Sequence, residues 1–236
     1  GAMVATTMNV SNEDFMAGKD KLSFSGGESG KVVNKGRITI NDAKGFVALM
    51  APEVKNEGVI IASISGENSI ALVSGKQVTL TFADRQMVSI SVDASVVNSL
   101  ITNKRLIQVN GGQVVIAANS ANNLMSSVIT NKGTIAADGV NVQGGVVTLT
   151  AGTVTQSGTV SANAIVTPAS PPVASSAVAV NTQPVVNAGV AGKIVITGNQ
   201  VSLASNSKTT ATGTLGGGTI LLGVNAIDKT QSTVTA

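Results

Sequence analysis

Hydrophobic and polar residues alternate with a period of two along most of this chain, in runs of four to six residues closed by Gly or Asn. Such runs predict short β-strands joined by tight turns. One phrase recurs, apolar-x-Asn/Gln-x-Gly-x-apolar, at "VVNKGRIT" (32–39), "VKNEGVII" (54–61), "ITNKGTIA" (129–136) and "VTQSGTVS" (154–161). A degenerate copy, "ITNKRLI", starts at Ile101, with Arg105 in place of the Gly. The starts at 32, 54, 101, 129 and 154 are 22, 47, 28 and 25 residues apart. The 47-residue step reads as two turns with one copy missing, because "SIALVSGKQVTLTF" (69–82) fills the gap with strand. A second phrase, Gly-x-apolar-x-apolar, follows at "GFVALMA" (45–51), "GQVVIAA" (112–118), "GVVTLTA" (145–151), "GKIVITG" (192–198) and "GTILLG" (218–223).

Repeats of 20–30 residues indicate a solenoid. The Leu-x-x-Leu-x-Leu scaffold of leucine-rich repeats is absent, and so are the aromatic signatures of propeller blades. A parallel β-helix fits: each coil holds two or three short strands, and coils stack about 4.8 Å apart. Equivalent residues then lie above one another. Apolar ones fill the interior, and Asn34, Asn56, Asn103 and Asn131, with Gln156 in the matching place, are expected to form a hydrogen-bonded ladder at a bend. Gly36, Gly58, Gly133 and Gly158, two residues on, are expected to supply a positive φ there. The bland reading of these Asn, as structural, outweighs a role as ligands or glycan acceptors. None lies in an Asn-x-Ser/Thr sequon, and the one sequon in the chain is Asn9–Val10–Ser11.

Three segments depart from the strand pattern. "SNEDFMAG" (11–18) has Ser11 as an N-cap, Asp14 three residues on and Gly18 as a stop, which predicts one or two helical turns. "VDASVVNSLI" (92–101) and "SANNLMSSVI" (120–129) carry apolar residues at helical spacing, Ala121, Leu124, Met125 and Val128 among them, and predict short inserted helices. Four of the five prolines fall in 168–191, which predicts a linker or protruding loop between a β-helix over 1–167 and a further β-helical segment over 192–236.

Composition narrows the chemistry. The 236 residues include four Phe and neither Trp nor Tyr, so the core has to be layered from Val, Ile, Leu and Ala. Without Cys or His, the chain lacks disulfides, thiol nucleophiles, the commonest general base and the commonest metal ligands. A net charge of +3, mixed in sign, argues against nucleic acid as a partner. No apolar run reaches the ~20 residues of a membrane-spanning helix. "GAM" (Gly1–Met3) has the look of a cloning remnant.

The candidate motifs weaken on inspection. "GGESGKV" (26–32) is one residue short of a phosphate loop and has Val32 where a Mg²⁺-binding hydroxyl belongs. "GTLGGG" (213–218) lacks the helix of a dinucleotide site. Asp42, Glu53, Glu57, Asp84 and Asp93 could in principle pair as the acids of a polysaccharide hydrolase or lyase, but they are scattered among Lys and Arg with no coil-spaced recurrence. The residues lead to no catalytic, metal or cofactor site.

"NVSNEDFMAG" (9–18), "FSGG" (24–27), "VVNKGRITINDAKGFVALMAPEVKNEGVI" (32–60), "SGKQVTLTF" (74–82), "ISVDA" (90–94) and "GGQVVIAANSANNLM" (111–125) with "VITNKGTIAA" (128–137) together resemble the filamentous-haemagglutinin type of exoprotein. These are exported by bacterial two-partner secretion systems. The resemblance runs over residues 4–165. It implies a right-handed parallel β-helix in a long, rod-like protein, secreted or held at the bacterial surface. The implied role is a non-enzymatic adhesin shaft; the stalk of a contact-dependent growth-inhibition toxin and a β-helical polysaccharide-degrading enzyme are the alternatives. The implied partners are a cognate outer-membrane transporter for the full-length protein and a host-cell receptor or glycan. The family's Asn-Pro-Asn-Leu and Asn-Pro-Asn-Gly motifs do not occur here. The chain is therefore expected to begin downstream of them, inside the secretion domain, and no functional residues carry over.

Overall fold

The structure is a computed structural model that describes residues 1–16, 20–26, 29–83, 86–95, 97–120, 126–167, 188–223 and 233–235. The chain winds as a parallel β-helix. Each coil runs through a strand of sheet 1, turns at the Asn/Gln corner into sheet 2, then turns again into sheet 3. Sheet 1 stacks Lys31–Asn34, Glu53–Asn56, Ser99–Asn103, Ser127–Asn131, Thr153–Gln156, Gln200–Leu203 and Thr233–Thr235. Sheet 2 stacks Arg37–Ile40, Val59–Ala62, Leu106–Val109, Thr134–Ala136, Thr159–Ser161 and Lys208–Thr210. Sheet 3 begins with Ala2–Thr6 and continues through Phe46–Met50, Ser69–Ser74, Gln113–Ala118, Val146–Thr150, Lys193–Thr197 and Thr219–Gly223. Every neighbouring pair in the three sheets is parallel and in register.

Period-two alternation decides what lies inside. In sheet 1 the inward column is Val32, Val54, Ile101, Ile129, Val154 and Val201. Sheet 2 adds Ile38, Ile60, Ile107, Ile135 and Val160, and sheet 3 adds Leu49, Leu72, Ile116, Leu149 and Ile196. All but Val32 and Ile38 are essentially inaccessible, and together they make one continuous core. Burying each such side chain contributes roughly 1.5–3 kcal/mol. Branched aliphatics of similar size suit this stack, because each lies on its equivalent one strand spacing away.

A second, smaller core lies outside the column. In the coils of Phe46–Met50 and Ser69–Ser74 the outward residues of sheet 3 are also apolar: Phe46, Ala48, Met50, Ala71 and Val73 are all buried. A four-stranded antiparallel sheet covers them, ordered Gln86–Asp93, Gln77–Ala83, Lys21–Ser25, Asn9–Val10. It contributes Phe24, Val78, Leu80 and Met87 to this core, and Met8 beside it joins them. Phe46 and Phe82 rings meet with centroids 5.1 Å apart. Three of the four Phe therefore sit at this interface rather than in the column, where a ring would break the layer spacing.

Two expectations about local structure are corrected here. The described residues of 92–101 form no helix: Val92 and Asp93 end a strand, Ser95 bridges to Ser120, and Ser99–Asn103 belongs to sheet 1. Likewise Ser127–Asn131 is strand, so Val128 is not helical; Ala121, Leu124 and Met125 lie outside the described residues. Cross-coil pairing overrides the helical spacing, since Ser99, Ile101 and Asn103 alternate inward on a sheet that continues on both sides. The helix near the N-terminus is present at Asn12–Met16, although its predicted stop, Gly18, lies outside the described residues.

The 47-residue step is also not two turns. Glu53–Asn56 pairs directly with Ser99–Asn103, so it is one coil. The surplus residues leave the column after Ser74 as the hairpin Gln77–Ala83/Gln86–Asp93, which joins the covering sheet. Strands on either side of 168–187, which lie outside the described residues, pair in the same three sheets: Val146–Thr150 with Lys193–Thr197, Thr153–Gln156 with Gln200–Leu203, and Thr159–Ser161 with Lys208–Thr210.

Candidate functional site

The Asn/Gln corner brings five of the residues singled out in the sequence into one line. Asn34 Nδ2 donates to Asn56 Oδ1 at 2.8 Å, Asn56 Nδ2 to Asn103 Oδ1 at 2.8 Å, and Asn103 Nδ2 to Asn131 Oδ1 at 2.8 Å. Asn131 Nδ2 donates to Gln156 Oε1 at 2.7 Å. All the amides therefore point the same way along the axis. Each inner amide has a second, longer bond to a carbonyl, as from Asn56 Nδ2 to Leu106 O at 3.3 Å. The five are buried, from 0% exposed at Asn56, Asn131 and Gln156 to 9% at Asn34.

The ends of this ladder are closed in different ways. At Asn34 the free oxygen accepts the Gly36 N–H at 3.1 Å. At the other end the next residue in the column is Leu203, which cannot accept. Gln156, one methylene longer than Asn, turns its Nε2 to the Gly158 carbonyl at 3.0 Å instead. The Gln in the sequence marks the place where the polar ladder stops, and the stop leaves no donor orphaned.

The glycines of the phrase act by close approach, not by backbone handedness. None of Gly36, Gly58, Gly133 or Gly158 is among the residues with positive φ, which corrects the expectation from the sequence. A Cβ on Gly58 would lie 2.1 Å from Gly36 O, on Gly133 2.1 Å from Arg105 O, and on Gly158 2.0 Å from Gly133 O. On Gly36 a Cβ would meet nothing within 4 Å, because no sheet-1 coil lies beneath it.

Two further columns went unrecognised in the sequence. The leading Gly of the second phrase builds a spine at the entry to sheet 3, where a Cβ on Gly112, Gly145, Gly192 or Gly218 would press on the carbonyl below at 1.8–2.3 Å. Asn68 stands in that spine and uses its side chain, accepting from Gly45 N at 2.9 Å and donating to Ile64 O at 2.8 Å. At the exit from sheet 2, Asn110 accepts from Val140 N, Asp138 from Asn163 N, and Asn163 from Thr212 N, all at 2.7–2.9 Å. The signal for the first column was the recurring Gly. The second recurs only as Asn/Asp at uneven spacing, too weak a pattern to read without register.

Of the five carboxylates weighed as candidate acids, Asp42, Glu53 and Glu57 are each held by a cation. The chain-terminal ammonium at Gly1 donates to Asp42 Oδ2 at 2.6 Å, and this bond, helped by the Lys44 N–H, holds the Asp42 pKa below its ordinary value. Glu57 is held below its ordinary value chiefly by Lys104 Nζ, 2.8 Å away. Glu53 is ion-paired with Lys55 and raises the lysine's pKa. Asp93 lies at the end of the hairpin, and Asp84 falls outside the described residues. Among the described residues no three acidic, His or Cys side chains are grouped as metal ligands.

No family model matches the chain, and no curated protein matches it. Among solved structures it is similar to the crystal structure of the HMW1 secretion domain from Haemophilus influenzae. The likeness has a TM-score of 0.50 at 20% identity and covers 98% of this chain and 72% of that one. The likeness is one of fold.

Proposed function

We propose that this chain is a non-enzymatic, rod-forming segment of a bacterial exoprotein exported by two-partner secretion, and that its parent acts as an adhesin of the filamentous-haemagglutinin type. The observation that carries the reading is the unbroken register of the coils, with its polar ladder from Asn34 to Gln156, beside the fold likeness to a secretion domain. A column whose strands pair in the same register from coil to coil can be lengthened by adding coils, which is what a shaft requires. Its stability does not depend on disulfides, so it suits a chain that crosses envelopes unfolded and folds outside. The role implies a cognate outer-membrane transporter for the full-length protein, release or retention at the cell surface, and a host-cell receptor or glycan as the eventual target.

Export tests the reading. The full-length gene, expressed with and without the outer-membrane transporter gene expected beside it, should deliver protein to the medium or cell surface only with the transporter. Equal export without it overturns the two-partner assignment. The enzymatic alternative is checked by incubating the purified chain with acidic polysaccharides and following absorbance of unsaturated products. Turnover that disappears in Asp42→Asn would replace the shaft reading with a catalytic one.

A further inference from the structure

Where sheet 2 passes into sheet 3, three successive coils leave an open groove of about 300 Å³, between the turns at Gly66–Ser69, Gly111–Gln113 and Gln143–Val146. Gln86, at the start of the outer hairpin's second strand, closes one side. The volume lies at the lower end of the ~300–1,000 Å³ that small-molecule sites occupy. Its walls are unlike the rest of the column. Gln86, Gln113 and Gln143 line it, and their side-chain amides have no hydrogen bond to any described residue, whereas every amide of the inner ladder is committed. The floor is backbone, because Gly112 and Gly145 pack their Cα against the carbonyls of the coil below.

The chemistry of this lining selects a ligand class. A carboxamide offers a donor pair and an acceptor side by side, which matches adjacent hydroxyls that each donate and accept. Among the described residues no aromatic or large aliphatic side chain lines the groove, so an apolar ligand would gain little there. Its charged member is Glu67, 3.8 Å from Lys44, and among the described residues no Lys or Arg lines the groove. With Glu67 paired to Lys44, the described lining carries no net positive charge to hold a phosphate, sulfate or carboxylated sugar. We infer that this groove binds a neutral sugar unit of an oligosaccharide, held by the Gln86, Gln113 and Gln143 amides. The inference rests on the adhesin reading for its biological sense but not for its chemistry.

The test uses the purified full chain on a printed array of neutral, sialylated and sulfated oligosaccharides, followed by titration calorimetry with the strongest neutral binder. Binding to neutral glycans is expected, with Gln113→Ala and Gln143→Ala each lowering affinity at least tenfold. The urea midpoints of both variants should stay at the wild-type value, since neither amide holds a structural bond. Binding confined to acidic glycans, unchanged affinity in both variants, or no neutral glycan bound at all overturns the assignment. Export is read separately. A chain delivered by its transporter yet blind to neutral glycans removes the groove alone, and one that binds them but is exported without the transporter removes only the export reading.

Discussion

Replacing Asn103 by Ala strikes the middle of the buried ladder, and the structure sets the size of the effect. Asn103 accepts from Asn56 Nδ2 and donates to Asn131 Oδ1, both at 2.8 Å, with longer bonds to the Arg105 and Thr134 carbonyls. Truncation leaves Asn131 Oδ1 without its donor and Asn56 Nδ2 with only the 3.3 Å bond to Leu106 O. Both neighbours are fully buried, so water cannot substitute. A buried polar group left unpaired costs about 1–3 kcal/mol; one complete and one partial orphan therefore predict about 3–4 kcal/mol. Asn34→Ala removes an amide of the same kind at the end of the ladder, where Asn34 is 9% exposed and no sheet-1 coil lies beneath. Water can take its place there, and the loss should be about 1 kcal/mol. Urea titration followed by far-UV circular dichroism measures both through the shift in midpoint at constant slope. Equal midpoints for Asn103→Ala and Asn34→Ala would refute the ladder as a buried, cooperative element.

Further outcomes follow from the same geometry. Gly158→Ala should lower the urea midpoint sharply, because its Cβ would press on Gly133 O at 2.0 Å, while Gly36→Ala, with open space and ordinary φ, should be neutral or stabilising by up to ~1 kcal/mol; equal losses would restore the backbone-handedness explanation. Phe24→Ala should cost about 3–5 kcal/mol and raise dye binding to the uncovered outer face of sheet 3, whereas an unchanged midpoint would mean the covering sheet contributes nothing. Because Lys104 depresses the Glu57 pKa in the folded chain, that pair adds stability above the carboxyl's unfolded value and loses it as pH falls through the folded value. The difference in midpoint between wild type and Lys104→Met should therefore be present at pH 7 and vanish in acid; a difference that grows on acidification contradicts the pairing.

How much of this was legible in the sequence depends on whether the feature recurs. The strand-turn pattern, the coil phrase and the Asn/Gln column repeat with each turn, so period and composition sufficed to expect a parallel β-helix. Features that occur once did not announce themselves. The stretch 69–82 reads as an extra coil because Gln77–Ala83, a hairpin strand, has the same alternation as a strand in a coil. Its distinguishing sign is local: Phe24, Met50 and Met87 share the second core, where the column itself uses Val, Ile, Leu and Ala. The apolar spacing at 92–101 looked helical only because Val92 closes the hairpin while Leu100 and Ile101 open the next coil. The glycine role was misassigned for a physical reason: sequence records the missing Cβ, while the carbonyl 2.0–2.1 Å from where it would be belongs to another coil. The amide groove was illegible, since Gln86, Gln113 and Gln143 come together only through the stacking.

The register of the coils is most directly measured by distances between spin labels along one outward column, Val33, Lys55, Thr102, Thr130, Thr155 and Ser202, in a chain that has no native Cys to interfere. Cysteine pairs at 33/155, 33/202 and 55/202 span four, five and four coils, and pulsed electron resonance should return separations rising by about 4.8 Å per coil, near 19, 24 and 19 Å. The 47 residues between Lys55 and Thr102 must count as a single step. Separations that follow residue number instead, or that fall on no common line, would contradict the column.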